Sequence, residues 1–184
     1  MPLTQYQKML AGELYDATDE ELLQMRIKTR AFMQQYNQTP YNREQRAVLL
    51  QRLLRNMGKN IDIQTPFFCD YGFHIEMGDN FFANFNCVFL DCNYIKIGNN
   101  VFLGPNVQVY TAHHPVPAAE RIKGLELASP VIVGDNVWIG GSSIICPGVT
   151  IGENTTIGAG SVVVKNIPAN VVAAGNPCRV ISSL

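Results

Sequence analysis

The chain has 184 residues, 47% of them hydrophobic and 16% charged, with a formal net charge of −1. No basic surplus favours nucleic acid, no apolar run is long enough to span a membrane, and the first residues do not form a secretory signal. The five cysteines, an odd number without metal spacing, predict reduced, buried thiols in a cytoplasmic protein.

Residues 1–58 do not repeat. A short helix is expected around Thr4 to Leu10. Thr18-Asp-Glu-Glu21 reads as a capping box ahead of Leu22, Leu23, Met25, Ile27 and Phe32. Asn42-Arg-Glu-Gln45 opens a further helix carrying Val48, Leu49, Leu50, Leu53 and Leu54, with Gly58 as its stop. The expected role of this segment is to cap the stack that follows, since repeats need covered ends.

A second rhythm then takes over. Cys69/Tyr71, Ile75/Met77, Phe81/Ala83 and Cys87/Phe89 are apolar pairs two residues apart, each six after the last. Two apart means one face of a strand. The count resumes at Ile95/Ile97, Val101/Leu103 and Val107/Val109. It runs unbroken from Val131/Val133 through Val137/Ile139, Ser143/Ile145, Val149/Ile151, Thr155/Ile157 and Ser161/Val163. Between the pairs lie turn formers such as Gly98-Asn99-Asn100 and Gly134-Asp135-Asn136. This hexad count predicts a parallel β-helix of triangular coils over residues 59–168, three hexads to a coil. A β-sandwich is the alternative, but its strands do not keep strict step.

Two corners are irregular. Leu90 to Tyr94 is longer than the usual corner. Tyr110 to Pro130 is far longer and lacks inward pairs, which predicts a loop (110–130) thrown out of the coil. Residues 169–184 end the count; Asn176-Pro177 and Arg179 suggest a turn and a short returning strand or tail.

Counting corners places those after Phe89, Val109 and Ile145 on one prism edge and those after Ala83, Leu103 and Ile139 on another. The long loop and the corner beginning at Asn84 therefore stand on different edges. They meet if the loop wraps, or if a neighbouring subunit supplies one of them. Of the histidines His74, His113 and His114, two open the long loop, and imidazole is the natural general base near neutral pH. Pro115 restricts the backbone of His114.

These residues carry a resemblance. Ala11-Gly-Glu-Leu-Tyr15, Cys69-Asp-Tyr-Gly72, Phe82-Ala-Asn-Phe-Asn86, His114-Pro115, Asn136-Val-Trp-Ile-Gly140, Pro147-Gly-Val-Thr-Ile-Gly152 and Gly175-Asn-Pro-Cys-Arg179 occur in order along nearly the whole chain. The chain resembles the hexapeptide-repeat acyltransferases, and within them the maltose and galactoside O-acetyltransferases. The resemblance implies a left-handed coil, a homotrimer with active sites between subunits, and acetyl-coenzyme A as donor. It implies transfer to a sugar hydroxyl by direct attack, with His114 as base because the family histidine directly precedes the proline. Asn84 matches a site asparagine that orients the acceptor or stabilises developing charge; its structural alternative is a left-handed corner residue.

Asp16 and Asp70 match acceptor-site residues. The galactoside enzymes have serine where Asp70 stands and the maltose type has aspartate. Those enzymes also have aspartate where Cys92 stands, with Asp91 adjacent here. Glu126 either supports the histidine, binds acceptor, or is a solvated surface residue. For the donor, the resemblance points to Gly141 and Ala159 at corners and to Val164, Lys165 and Arg179, the cations suiting phosphate. No metal is expected, because adjacent His113 and His114 point apart in extended chain and leave too few ligands for a zinc site. An amine or antibiotic hydroxyl as acceptor, or a non-catalytic trimeric assembly module, are the alternatives.

Overall fold

A computed structural model describes residues 2–184. Three helices precede the coils: α1 (Gln5–Ala11), α2 (Glu20–Gln38) and α3 (Arg43–Leu53). The capping box lies at α1, where Thr4 and Gln7 bond each other's backbone. At α2 the cap is Asp19, which accepts from the Glu21 amide, so the expected box at Thr18 is displaced by one residue. Thr18 instead serves Asp16. Asn42 caps α3 as expected. Gly58 does not stop that helix; α3 ends at Leu53, and Gly58 is the first corner of the coil, after strand Asn56–Met57.

The β-helix has three faces. The first stacks Asn56–Met57, Ile75–Met77, Ile95–Ile97, Val131–Val133 and Thr150–Ile151 in parallel. The second stacks Asp62–Ile63, Phe82–Ala83, Phe102–Leu103, Trp138–Ile139, Thr156–Ile157 and Val171–Gly175. The returning strand Cys178–Ser183 closes this face antiparallel. The third stacks Phe67–Cys69, Cys87–Leu90, Gln108–Tyr110, Ile144–Ile145 and Val162–Val163. Hexad residues point inward: Ile75, Phe89, Ile95, Val109, Ile139 and Ile157 are all buried in one cluster. The expected pair Cys69/Tyr71 is out of step, since the inward pair there is Phe67/Cys69 and Tyr71 lies in the following corner, in a separate cluster. α2 and α3 cover its first coils through Met33, Tyr36, Leu50 and Leu53, whereas Ile27 and Val48, on the same helices, are exposed.

At most of the three-residue corners the third residue adopts a positive φ, near +60° where it is not glycine; the corners at residues 64–66 and 164–166 turn without one. Among the described residues, eight of the nine non-glycine residues at positive φ are asparagine. Asparagine tolerates this region, and its short amide bonds locally. On the edge after the first face the amides also bond each other. Asn60, Asn80, Asn100, Asn136, Asn154 and Asn170 form a ladder, each Nδ2 donating to the next Oδ1 at 2.8 to 3.0 Å. The coils stack so closely that a Cβ on Gly134 would lie 2.7 Å from the Glu153 amide nitrogen. The long loop leaves the edge after the third face. It contains strand Ala112–His113 paired antiparallel with Leu127–Ala128, and one helical turn, Ala118–Arg121. Among the described residues, no helix is long and apolar enough to cross a membrane.

The ladder generates a stability prediction. Asn136→Ala loses two amide bonds and the residue's tolerance of positive φ; it should cost about 1–3 kcal/mol in urea unfolding. Asn136→Gly keeps the conformation and should cost less. The reverse order would show that backbone strain does not govern this corner.

Candidate active site

The site is built where the N-terminal cap, two third-face corners and the long loop converge. A cleft of about 460 Å³ is lined by Ala17, Arg26 and Arg30 from the cap, Asp70 and Cys92 from the corners, and His113, His114 and Glu126 from the loop. His114 is half exposed, and its Nε2 stands 3.9 Å from Glu126 Oε1. Its Nδ1 lies 3.3 Å from the Leu125 carbonyl oxygen, which only accepts, so Nδ1 carries the hydrogen and Nε2 is the free lone pair. His113 also borders the cleft, with Nε2 3.4 Å from Ser129 Oγ. Among the described residues, no group of three His, Cys, Asp or Glu side chains stands close enough to hold a metal.

Asp70 is pushed upward in pKa by burial, against the opposing pull of the Arg26 guanidinium. The Cys92 thiol donates to Asp70 Oδ2 at 3.7 Å, and burial pushes the thiol up, so it stays protonated. Glu126 accepts from the Tyr15 hydroxyl at 2.8 Å.

Asp91 is a correction. Its side chain is fully buried and accepts from the amides of Asp70, Tyr71 and Gly72 at 2.9, 2.9 and 2.7 Å. It shapes the long corner and is not available to an acceptor. Asp16 does not line the cleft; the Thr18 amide and hydroxyl bond its carboxylate and hold its pKa below the usual range. Its neighbour Ala17 faces the cleft instead, its carbonyl gripped by Arg26 Nη2.

Asn84 lies outside this cleft, on the second-face edge. Its φ is not positive; the left-handed corner residue is Asn86, at φ 62°. The Phe85 amide donates to Asn84 Oδ1 at 2.8 Å, which leaves Nδ2 as a free donor. Gly141 and Ala159 follow on the same edge, while Val164 and Lys165 are exposed on the third-face edge. Arg179 is exposed and donates to the Cys178 carbonyl.

Arg26 and Arg30 escape a reading of motifs. Their spacing of four on one helix is the available signal, since it places both on one face. Arg26 Nη1 donates to the Tyr71 hydroxyl at 2.6 Å, which locks the guanidinium over the cleft floor.

A three-sided parallel β-helix with a loop-borne histidine cleft defines a hexapeptide-repeat transferase. Residues 8–58 match the maltose acetyltransferase hexapeptide capping motif, and residues 130–165 match the bacterial transferase hexapeptide (six repeats). The galactoside O-acetyltransferase of Escherichia coli (strain K12) is 41% identical over 185 residues, covering 100% of this chain and 90% of the relative. The crystal structure of a maltose O-acetyltransferase from Clostridium difficile 630 superposes with a TM-score of 0.97 at 51% identity, covering 99% of this chain and 98% of that one. A galactoside acetyltransferase in complex with coenzyme A gives a TM-score of 0.95 at 40% identity, covering 99% and 92%. The chain belongs to the hexapeptide-repeat acetyltransferases of the maltose and galactoside O-acetyltransferase type.

Behind the cleft, His74 is a structural histidine. Its ring is fully buried; Nδ1 donates to the Asp91 carbonyl at 2.6 Å, and Nε2 accepts from the Tyr6 hydroxyl at 3.2 Å. Burial lowers its pKa from 6.5 to about 4. The unfolded chain takes up this proton near its ordinary value and the folded chain only near the lowered one. The ring's contribution is therefore complete above pH 6.5 and is lost as pH falls towards 4. Between pH 7.5 and 5, wild type should lose about 2 kcal/mol more in urea unfolding than His74→Phe. Parallel pH slopes would remove His74 as the titrating group.

Proposed function

We propose that this acetyltransferase moves an acetyl group from acetyl-coenzyme A to a hydroxyl of a sugar, with His114 as general base. The observation that carries this reading is the His114 tautomer, set by the Leu125 carbonyl with Nε2 open to the cleft. Acetyl-coenzyme A supplies the acyl group as a reactive thioester. His114 Nε2 takes the acceptor proton as that oxygen bonds the acyl carbon and the carbon–sulfur bond breaks. It then returns the proton to the leaving sulfur. Direct attack is supported by the cysteines: all five are free, and burial pushes every thiol up in pKa, away from the nucleophilic thiolate. Five free thiols also accord with a cytoplasmic protein.

Donor binding is assigned to Gly141, Ala159, Val164, Lys165 and Arg179. Among the described residues, neither Lys165 nor Arg179 has a carboxylate partner, which suits phosphate. Asn84 Nδ2, the free half of its amide, is assigned the stabilisation of negative charge on the acyl oxygen. Acceptor binding is assigned to Asp70, Glu126 and the Cys92 wall, with Asp16 beside them.

His114 and Asn84 stand on different edges, so the reading includes a homotrimer in which one copy's third-face edge meets a neighbour's second-face edge. Exposed aromatics on and beside the second face support such an interface: Phe85, Phe102 and Trp138, with Phe102 and Trp138 in direct register.

Thiol release from acetyl-coenzyme A over a panel of sugars, amines and antibiotic hydroxyls should favour sugars. His114→Ala should lower turnover about 10²–10⁴-fold with the fold retained. Wild-type turnover in that variant would reject His114 as base. Mixing unfolded His114→Ala and Asn84→Ala chains and refolding them together should restore part of the activity. No recovery, with both variants trimeric, would reject the shared site.

A further inference from the structure

We infer that Tyr15 is a positioning residue of the acceptor site: it binds the Glu126 carboxylate by one oxygen so that the other faces His114 Nε2 across the cleft. The inference rests on the reading of His114 as base and of this cleft as the acceptor site. Three hydrogen bonds join Tyr15 and Glu126. The Tyr15 amide donates to the Glu126 carbonyl and the Glu126 amide to the Tyr15 carbonyl, both at 3.0 Å. The phenol donates to Glu126 Oε2 at 2.8 Å. The Tyr15 ring is 1% exposed, packed in a small cluster with Met9, Leu22, Tyr71, Cys92 and Ala128 that is separate from the coil core. Burial raises its pKa far above the ordinary phenol value, so the hydroxyl remains a donor.

The arrangement specifies what the acceptor must offer. Glu126 Oε1 and His114 Nε2 are 3.9 Å apart, too far to bond each other. Both accept: Nε2 by its lone pair, Oε1 as carboxylate. One hydroxyl has one proton and cannot donate to both. The attacking hydroxyl gives its proton to Nε2, and a second hydroxyl of the same acceptor donates to Oε1. The cleft therefore recognises a polyol through two neighbouring hydroxyls, and the N-terminal cap fixes the second contact through Tyr15.

The test is a double-mutant cycle in kcat/KM for a sugar acceptor, using the full-length protein. Tyr15→Phe should lower acceptor kcat/KM about tenfold, mainly through KM, and leave the KM for acetyl-coenzyme A unchanged. Glu126→Gln should fall by at least as much. The double variant should be no worse than Glu126→Gln alone, because Tyr15 acts through that carboxylate. Multiplying effects, or unchanged acceptor kinetics in Tyr15→Phe, would overturn the inference while leaving the base assignment intact. Wild-type turnover in His114→Ala would instead sink the reading beneath it.

Discussion

Each coil has to turn three times, and most of these turns are made within a few residues by one residue in the left-handed region. That single backbone requirement organises the chain. It selects asparagine and glycine at the corners, because other side chains meet the following carbonyl there. On the first-face edge the chosen asparagines then bond coil to coil, so the residues that permit the turn also set the stacking. Strands of two or three residues suffice because neither corner nor core depends on strand length.

A scaffold so regular makes its departures informative. The corner at Asp91 is enlarged, and the extra room is filled by a buried carboxylate that gathers three amides of the preceding coil. That collar holds Asp70 at the cleft and presents a carbonyl to His74, which is braced in turn by Tyr6 from α1. One coil above, the same edge releases the loop that carries His113, His114 and Glu126. The cap closes the remaining side through Tyr15, Ala17 and Arg26. The segment that hides the end of the stack thus also forms a wall of the cleft.

Much of this was legible in the residues. Ile75/Met77, Val131/Val133 and Val149/Ile151 declared a coil because period two, repeated every six, admits few other packings. Asn42 declared a helix start. The 110–130 loop stood out because it breaks the count, and His113 and His114 because they open it. Less legible were the cap positions at Thr18 and Asp19, where adjacent residues have equal capping chemistry and one residue of register decides between them. Gly58 carried two meanings, helix stop and coil corner, and local sequence does not distinguish them.

What the sequence by itself determined is the local pattern: which residues point inward, where the chain turns, and which loop is exceptional. These follow from short-range geometry. What only the tertiary structure decided is which polar groups remain free. Asp91 and Cys92 are neighbours in the chain, yet one is spent on three backbone amides and the other faces the cleft. Arg26, Arg30 and Tyr15 reach the site from a segment whose pattern announces only capping. A side chain's availability depends on every partner within a few ångströms, and most of those partners are far away along the chain.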